Sequence, residues 1–355
     1  MLIDVMFTFL SSLVTLFALR KLAHDYKWLD SPCSRKLHQG DIPLVGGVSV
    51  FAGVLVLTWV RPDMLAKQYQ FICLALAFLA IGFFDDKYQL SAKFRLILMI
   101  ALSYWIVVIE KVTLFYLGSL IGDGDTALTP TLAMLFTIAA IIASVTAFNM
   151  IDGLDGLLGV LSSVSLFSLF IVFHLAALES YALFCAGFII AMLPYIACNV
   201  FSQQKHRVFM GDAGSALVGF TIVWLLLFAT QPNRIVGSSN GVIKPVYVLW
   251  FIAIPLMDMV LVILKRAVRR QSLTCADRTH IHHLLLECGL SAKKVLLLLT
   301  GVSLCLAGVG LWCHFSATPQ FVCLVVFVIT FLFYSLANTT LEKHLSFRKA
   351  ELGMV

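Results

Sequence analysis

Charge is what this sequence has least of. Lysine, arginine, aspartate and glutamate together make up 12% of its 355 residues, about half the share in an ordinary soluble domain. Apolar residues fill the space, 61% of the chain with a mean hydropathy of +0.97, more than a soluble core can hide. The alternation of apolar and polar residues that marks an outer-membrane barrel is missing too, and the run 295–312 is apolar on every face. What remains is an all-α, polytopic membrane protein.

Other absences narrow the chemistry. No C-x-x-C pair occurs among the nine cysteines, and Cys73, Cys185, Cys198, Cys305 and Cys323 lie inside apolar runs, as small buried hydrophobes do. There is no Walker A sequence and no H-E-x-x-H, so a bound nucleotide must be held by side chains and metal, and zinc has no motif to support it. Neither an internal repeat nor a linker rich in Pro, Gly or Ser is present. The chain therefore reads as a single transmembrane catalytic domain, 1–338, with a short basic tail, 339–355.

The apolar runs between charge clusters predict eleven spans, at about 2–19, 42–60, 70–84, 94–110, 131–150, 157–175, 181–200, 214–230, 246–264, 295–313 and 320–338. The piece LFYLGSLIG within 111–130 is too short to cross and is expected at the outer surface. At the N-terminus Asp4 precedes the first apolar run and Arg20 and Lys21 follow it, the reverse of a cleavable signal. A retained first span with its N-terminus outside is expected. Of the 25 lysines and arginines, only Arg61, Lys67, Lys111, Arg234 and Lys244 then fall outside. The positive-inside rule makes the other face cytoplasmic, with the C-terminus there and the N-terminus periplasmic. The net charge of +6 reflects that bias, which suits anionic lipid heads and nucleotide phosphates rather than nucleic acid.

Every polar cluster lies on that cytoplasmic face: RKLHQGDIPLVGG (35–47), FFDDKYQLSAK (83–93), FNMIDGLDG (148–156), VFMGDAGS (208–215) and CADRTHIHH (275–283). One shared face implies one shared site. Asp85 and Asp86 end a short span, where adjacent carboxylates repel unless a cation or base compensates; the competing reading is a solvated loop end. In FNMIDGLDG, two glycines beside Asp152 and Asp155 suit close approach by a ligand, although Asp-Gly turns also join helices for no other reason. Asp212 opens the next span, either as a helix cap or as part of an anion-favouring helix N-terminus. His280, His282 and His283 with Arg278 form a clamp for phosphates, and Lys36 and His38 add to the same field. Asp258, the acid set well inside a span, is by default a functional group there, although Lys265 lies within two turns and simple pairing with it is the competing reading; it is not placed in direct contact with the substrates. Acids and Asn149 supply oxygen ligands without thiolates, which fits Mg²⁺, or Mn²⁺ in its place. Metal-assisted phosphoryl transfer between a soluble donor and a membrane acceptor unites these features.

The motifs D-D, N-x-x-D-G-x-D-G, F-M-G-D-x-G-S and H-I-H-H, in this order over about 20–338, resemble the polyprenyl-phosphate N-acetylhexosamine-1-phosphate transferases. HQGDIPLVGG and DRTHIHH look most like the bacterial WecA branch of that family. The resemblance implies transfer of N-acetylglucosamine 1-phosphate from UDP-N-acetylglucosamine to undecaprenyl phosphate, with UMP released. This is the first membrane step of O-antigen lipopolysaccharide and, in some bacteria, enterobacterial common antigen. It also implies a cell inner membrane location, Mg²⁺ on Asp212 and Asn149, and Asp155 by the uridine. Asp85 and Asp86 would lie beside the acceptor phosphate, with Asp152 and Asp212 completing the catalytic acids. The loop bearing Arg278, His280, His282 and His283 would contact the diphosphate and sugar, and a homodimer is an expected assembly. Two other classes fit less well. An intramembrane aspartyl protease needs facing acids in mid-helix, and a secondary transporter needs repeat symmetry and a midplane site.

Overall fold

The computed structural model describes residues 2–31, 40–120, 124, 126–203, 206–231, 241–272 and 279–351. The chain is a bundle of helices. α1 (Leu2–Asp25) leads into a two-residue antiparallel pairing of β1 (Leu29–Asp30) with β2 (Ile42–Pro43), followed by α2 (Gly46–Val60), α3 (Gln68–Tyr88) and α4 (Ala92–Val108). Then come α5 (Pro130–Ile151), α6 (Leu157–Leu175), α7 (Glu179–Val200) and α8 (Gly211–Thr230). The last part holds α9 (Pro245–Val248), joined through one 3₁₀ turn to α10 (Ala253–Val268), a short α11 (Ile281–Glu287), α12 (Ala292–Phe315) and the 32-residue α13 (Gln320–Glu351).

Each of the eleven expected spans coincides with a helix, α9 and α10 together forming one. Nine of these, among the described residues, have the length and composition to cross a bilayer. α2, at 15 residues, and α4, at 17 with Lys93 and Arg95 in its first turn, fall short of that length. Elsewhere the helices overrun their expected ends. α3 continues through Asp85 and Asp86 to Tyr88, and α13 runs unbroken through Asn338 into the basic tail. Up to the start of α5 at Pro130, the piece 111–130 contributes no helix among its described residues and forms a single bridge between Tyr116 and Ala127.

The bundle is built around α8, in which every residue from Ala213 to Thr230 is buried. A helix apolar on all sides belongs at a centre, and α3, α5 and α2 surround it. Aromatic rings bind it to α3: Phe78 and Phe71 stack on Phe220 with centroids 4.7 and 5.7 Å apart, and Trp224 continues the row to Phe228 at 4.8 Å. Between apolar surfaces in lipid, such close packing supplies what the hydrophobic effect no longer can. At its first turn α8 is approached more closely still. A Cβ at Gly82 of α3 would strike the Asp212 carbonyl, and one at Gly47 of α2 would strike the backbone of Gly214. By contrast α13 carries Phe321, Leu332, Phe333 and Leu336 exposed, an apolar face turned outward as lipid allows.

Candidate active site

The first turn of α8 is also where the polar motifs converge. Asp86, in the last turn of α3, turns its carboxyl group onto that helix end. Its Oδ1 accepts the Asp212 amide at 2.8 Å and its Oδ2 the Ala213 amide at 3.1 Å. Helix N-termini leave such donors unpaired, and a carboxylate satisfies both them and the dipole. The expected anion preference of this helix end is thus met from within the protein, by Asp86. Asp212 itself caps nothing, and its side chain, 40% exposed, faces outward.

Neighbouring Asp85 has a different environment. Its side chain is 6% exposed and pairs tightly with Arg95 of α4, whose guanidinium also stands 3.8 Å from Asp212. From the end of α5, Asn149 donates through Nδ2 to Asp212 Oδ1 at 2.6 Å and to Ser215 Oγ at 2.9 Å. Asp85, Arg95, Asn149 and Asp212 form the polar end of a crevice whose walls include Phe78, Ile81, Met99 and Val145. A charged head and an apolar body are what an amphipathic phosphate ester offers in return.

Among the described residues no group of three or more His, Cys, Asp or Glu side chains converges to hold a metal ion unaided. Asp212 and Asn149 instead offer one carboxylate and one amide carbonyl at a half-open edge. That donor set fits Mg²⁺, which takes one or two protein oxygens and completes its shell with water and substrate phosphates.

The turn between α5 and α6 lies alongside. Burial, then the charges of Asp212 and Asp155, push the Asp152 carboxyl up to about 8. Asp155 is held by Arg207 at 2.8 Å. Gly156, with φ +77, starts α6 in a conformation that favours glycine, and its amide donates to Asn199 of α7. The segment before α8 is stitched to the β2–α2 junction by Phe209 N to Pro43 O at 2.9 Å and Gly46 N to Phe209 O at 2.9 Å. The motifs IPLVGG and VFMGD therefore support one another through backbone bonds.

The histidines complete the face. His282 is fully buried, and among the described residues neither ring nitrogen has a hydrogen-bond partner. Its ring stacks 5.7 Å from His280 and lies 4.2 Å from His283, and a Cβ on Gly153 would collide with its Nε2. Burial first, then the neighbouring His283, hold it down to about 3, so it is neutral at physiological pH. Of the two readings of Asp258, simple pairing with Lys265 is not the one that forms. Lys265 binds Glu342 at 2.7 Å, and Asp258 binds His280 at 2.6 Å. An intrahelical partner is outbid because three donors from α11 and α13 reach the buried carboxylate.

The structure thus brings together Asp85, Asp86, Asn149, Asp152, Asp155, Asp212 and His280 to His283. Lys36, His38 and Arg278 lie outside the described residues. Sequence reasoning gave Arg95 no role, although an arginine at the start of an apolar run is a recognised signal. It also missed Arg207 and Tyr334; the first adjoins a motif, while nothing distinguishes the second from other span aromatics.

Comparison with known proteins gives the family. The sequence profile of glycosyl transferase family 4 matches residues 69–230, which hold the acids and the central helix. The undecaprenyl-phosphate alpha-N-acetylglucosaminyl 1-phosphate transferase of Salmonella typhi is 38% identical over 328 residues, 92% of this chain and 88% of its own. That of Escherichia coli (strain K12) is 37% identical over 333 residues, 93% and 89% of the two chains. That of Haemophilus influenzae is 36% identical over 334 residues, 94% and 92%. With likeness of this extent over more than nine-tenths of its length, the chain belongs to glycosyl transferase family 4.

Proposed function

We propose that the protein transfers N-acetylglucosamine 1-phosphate from UDP-N-acetylglucosamine to undecaprenyl phosphate, releasing UMP, as the first membrane step of O-antigen lipopolysaccharide assembly. The observation that carries the reading is the crevice with Asp85, Arg95, Asn149 and Asp212 at its head and apolar walls below. In this reading the chain crosses the inner membrane eleven times, α2 and α4 included, with the crevice head facing the cytoplasm. The basic bias of that face supports the orientation.

The reaction exchanges one phosphoanhydride for another, so the protein must mainly align two phosphates and offset their charge. An oxygen of the acceptor phosphate attacks the β-phosphorus of the donor, and the bond from that phosphorus to the oxygen of the α-phosphate breaks. Arg95 gives donors of its fork to the acceptor phosphate, exchanging its contact with Asp212 for it while staying paired with Asp85. Asp85 thereby sets the orientation of the guanidinium, and through it that of the head group. Because a phosphate monoester is already ionised near pH 7, Asp85 need not remove a proton. Asp86 keeps Asp212 at its post on α8. Mg²⁺ on Asp212 and Asn149, with Mn²⁺ able to replace it, supplies charge neutralisation on the diphosphate when bound. Asp155, steadied by Arg207, faces the nucleoside end, and His282 meets the diphosphate and sugar as a neutral hydrogen-bonding group.

The test is transfer of radiolabel from UDP-[¹⁴C]GlcNAc into butanol-extractable lipid by purified protein, with and without undecaprenyl phosphate and Mg²⁺. Labelling that needs both, and collapses in Asp212→Asn, supports the reading. Folded protein that labels no lipid from this donor refutes it.

A further inference from the structure

Asp258 is a buried acid for which the transfer reaction just described has no use. It is 1% exposed inside α10, and three donors meet it. Its Oδ2 accepts from His280 Nδ1 at 2.6 Å, and its Oδ1 accepts from the Ile281 amide at 3.0 Å and the Tyr334 hydroxyl at 2.7 Å. His280 and Ile281 are the cap and first residue of α11. One turn beyond Tyr334, Asn338 accepts from Lys265 Nζ at 2.5 Å and donates to the Thr279 carbonyl at 3.5 Å. At the other end of α11, Glu287 pairs with Lys349 at 2.7 Å. A helix of only seven residues is thus pinned by α10 and α13, and it carries His282 against Gly153.

A carboxylate is an expensive way to hold two helices together. Apolar side chains of equal volume usually do so as well or better, because burying the charge costs several kcal/mol, on the order of what its partners return. What the carboxylate adds is direction. Being an acceptor only, it compels His280 to donate from Nδ1 and so fixes both tautomer and ring plane.

We infer that Asp258, with Tyr334, is a positioning residue for the donor end of the transfer. It fixes His280 and the start of α11, and through them the stand of His282 over the Asp152–Gly153 turn. This rests on the proposed transferase reading.

The test uses the full-length purified protein in the lipid-labelling assay, with Asp258→Asn, Tyr334→Phe, His280→Gln and the double variant Asp258→Asn/His280→Gln. Asparagine keeps the volume and the Oδ1 contacts but presents Nδ2–H to His280, inverting the tautomer. Outer partners of this kind change activity about 10- to 100-fold. Asp258→Asn should lower kcat/KM for UDP-N-acetylglucosamine by that factor with KM for undecaprenyl phosphate within about twofold. Tyr334→Phe should give a smaller loss of the same kind. The double variant should be no worse than His280→Gln alone, since residues acting through one another are not additive. Wild-type activity retained in Asp258→Asn and Tyr334→Phe would overturn the inference and leave the transferase reading intact, as would losses that multiply in the double variant. An inactive wild type would instead overturn the transferase reading, and this inference with it.

Discussion

Asp85 and Asp86 are neighbours in sequence with opposite employment, and removing each should produce a different failure. Asp86→Ala leaves the Asp212 and Ala213 amides without the acceptors they meet at 2.8 and 3.1 Å. Each unsatisfied donor costs about 1–3 kcal/mol when buried. The site is half open, so water recovers part of this, and a net loss of about 2–4 kcal/mol is expected. Asp85→Ala removes one side of an ion pair whose arginine is 34% exposed and keeps Asp212 within 3.8 Å, so its effect on stability should stay within about 1 kcal/mol. Thermal or denaturant unfolding in one detergent, beside the labelling assay at saturating donor, separates the two. Both variants should be nearly inactive, but only Asp86→Ala should be markedly unstable. Asp86→Ala with wild-type stability and a raised KM for undecaprenyl phosphate alone would refute the reasoning, because Asp86 would then serve the acceptor and not the helix.

Arg95→Ala should raise KM for undecaprenyl phosphate tenfold or more and that for UDP-N-acetylglucosamine much less, with Arg95→Lys intermediate because lysine lacks the fork; equal rises would contradict the assignment. Gly153→Ala should cut kcat/KM for the donor about 10- to 100-fold, since its methyl meets His282 Nε2, an outer-shell disturbance of the usual size. Full activity there would mean that the α5–α6 turn yields freely. The folded pKa of His282, about 3, lies below its usual 6.5, so the unfolded chain binds the extra proton. Stability should fall as pH drops from about 6.5 toward 3, by up to about 1.4 kcal/mol per pH unit. His282→Gln should remove that slope, and an unchanged slope would show that another group causes it.

Most of the fold was legible because lipid leaves the backbone few choices: eleven apolar runs became eleven helical stretches. The convergence of the acids was legible as well, since motifs on one face of a bundle have little room to lie apart. Three-dimensional partnership was not. Nothing local tells Asp85 from Asp86; the difference arises because α3 arrives beside α8 with Gly82 against Asp212, turning one carboxyl onto a helix end and the other toward Arg95. The partners of Asp258 were illegible for the same reason. Lys265 is near in sequence, but His280 and Tyr334 reach it from helices 22 and 76 residues away, and tertiary contact decided.

The central claim is that a phosphosugar moves, and not the sugar alone. UDP-N-acetylglucosamine labelled with ³²P at its β-phosphate distinguishes the two directly when incubated with purified protein, Mg²⁺ and undecaprenyl phosphate. The account predicts that the label enters the butanol-extractable lipid in step with unlabelled UMP. Label recovered in UDP, with sugar but no ³²P in the lipid, would contradict it.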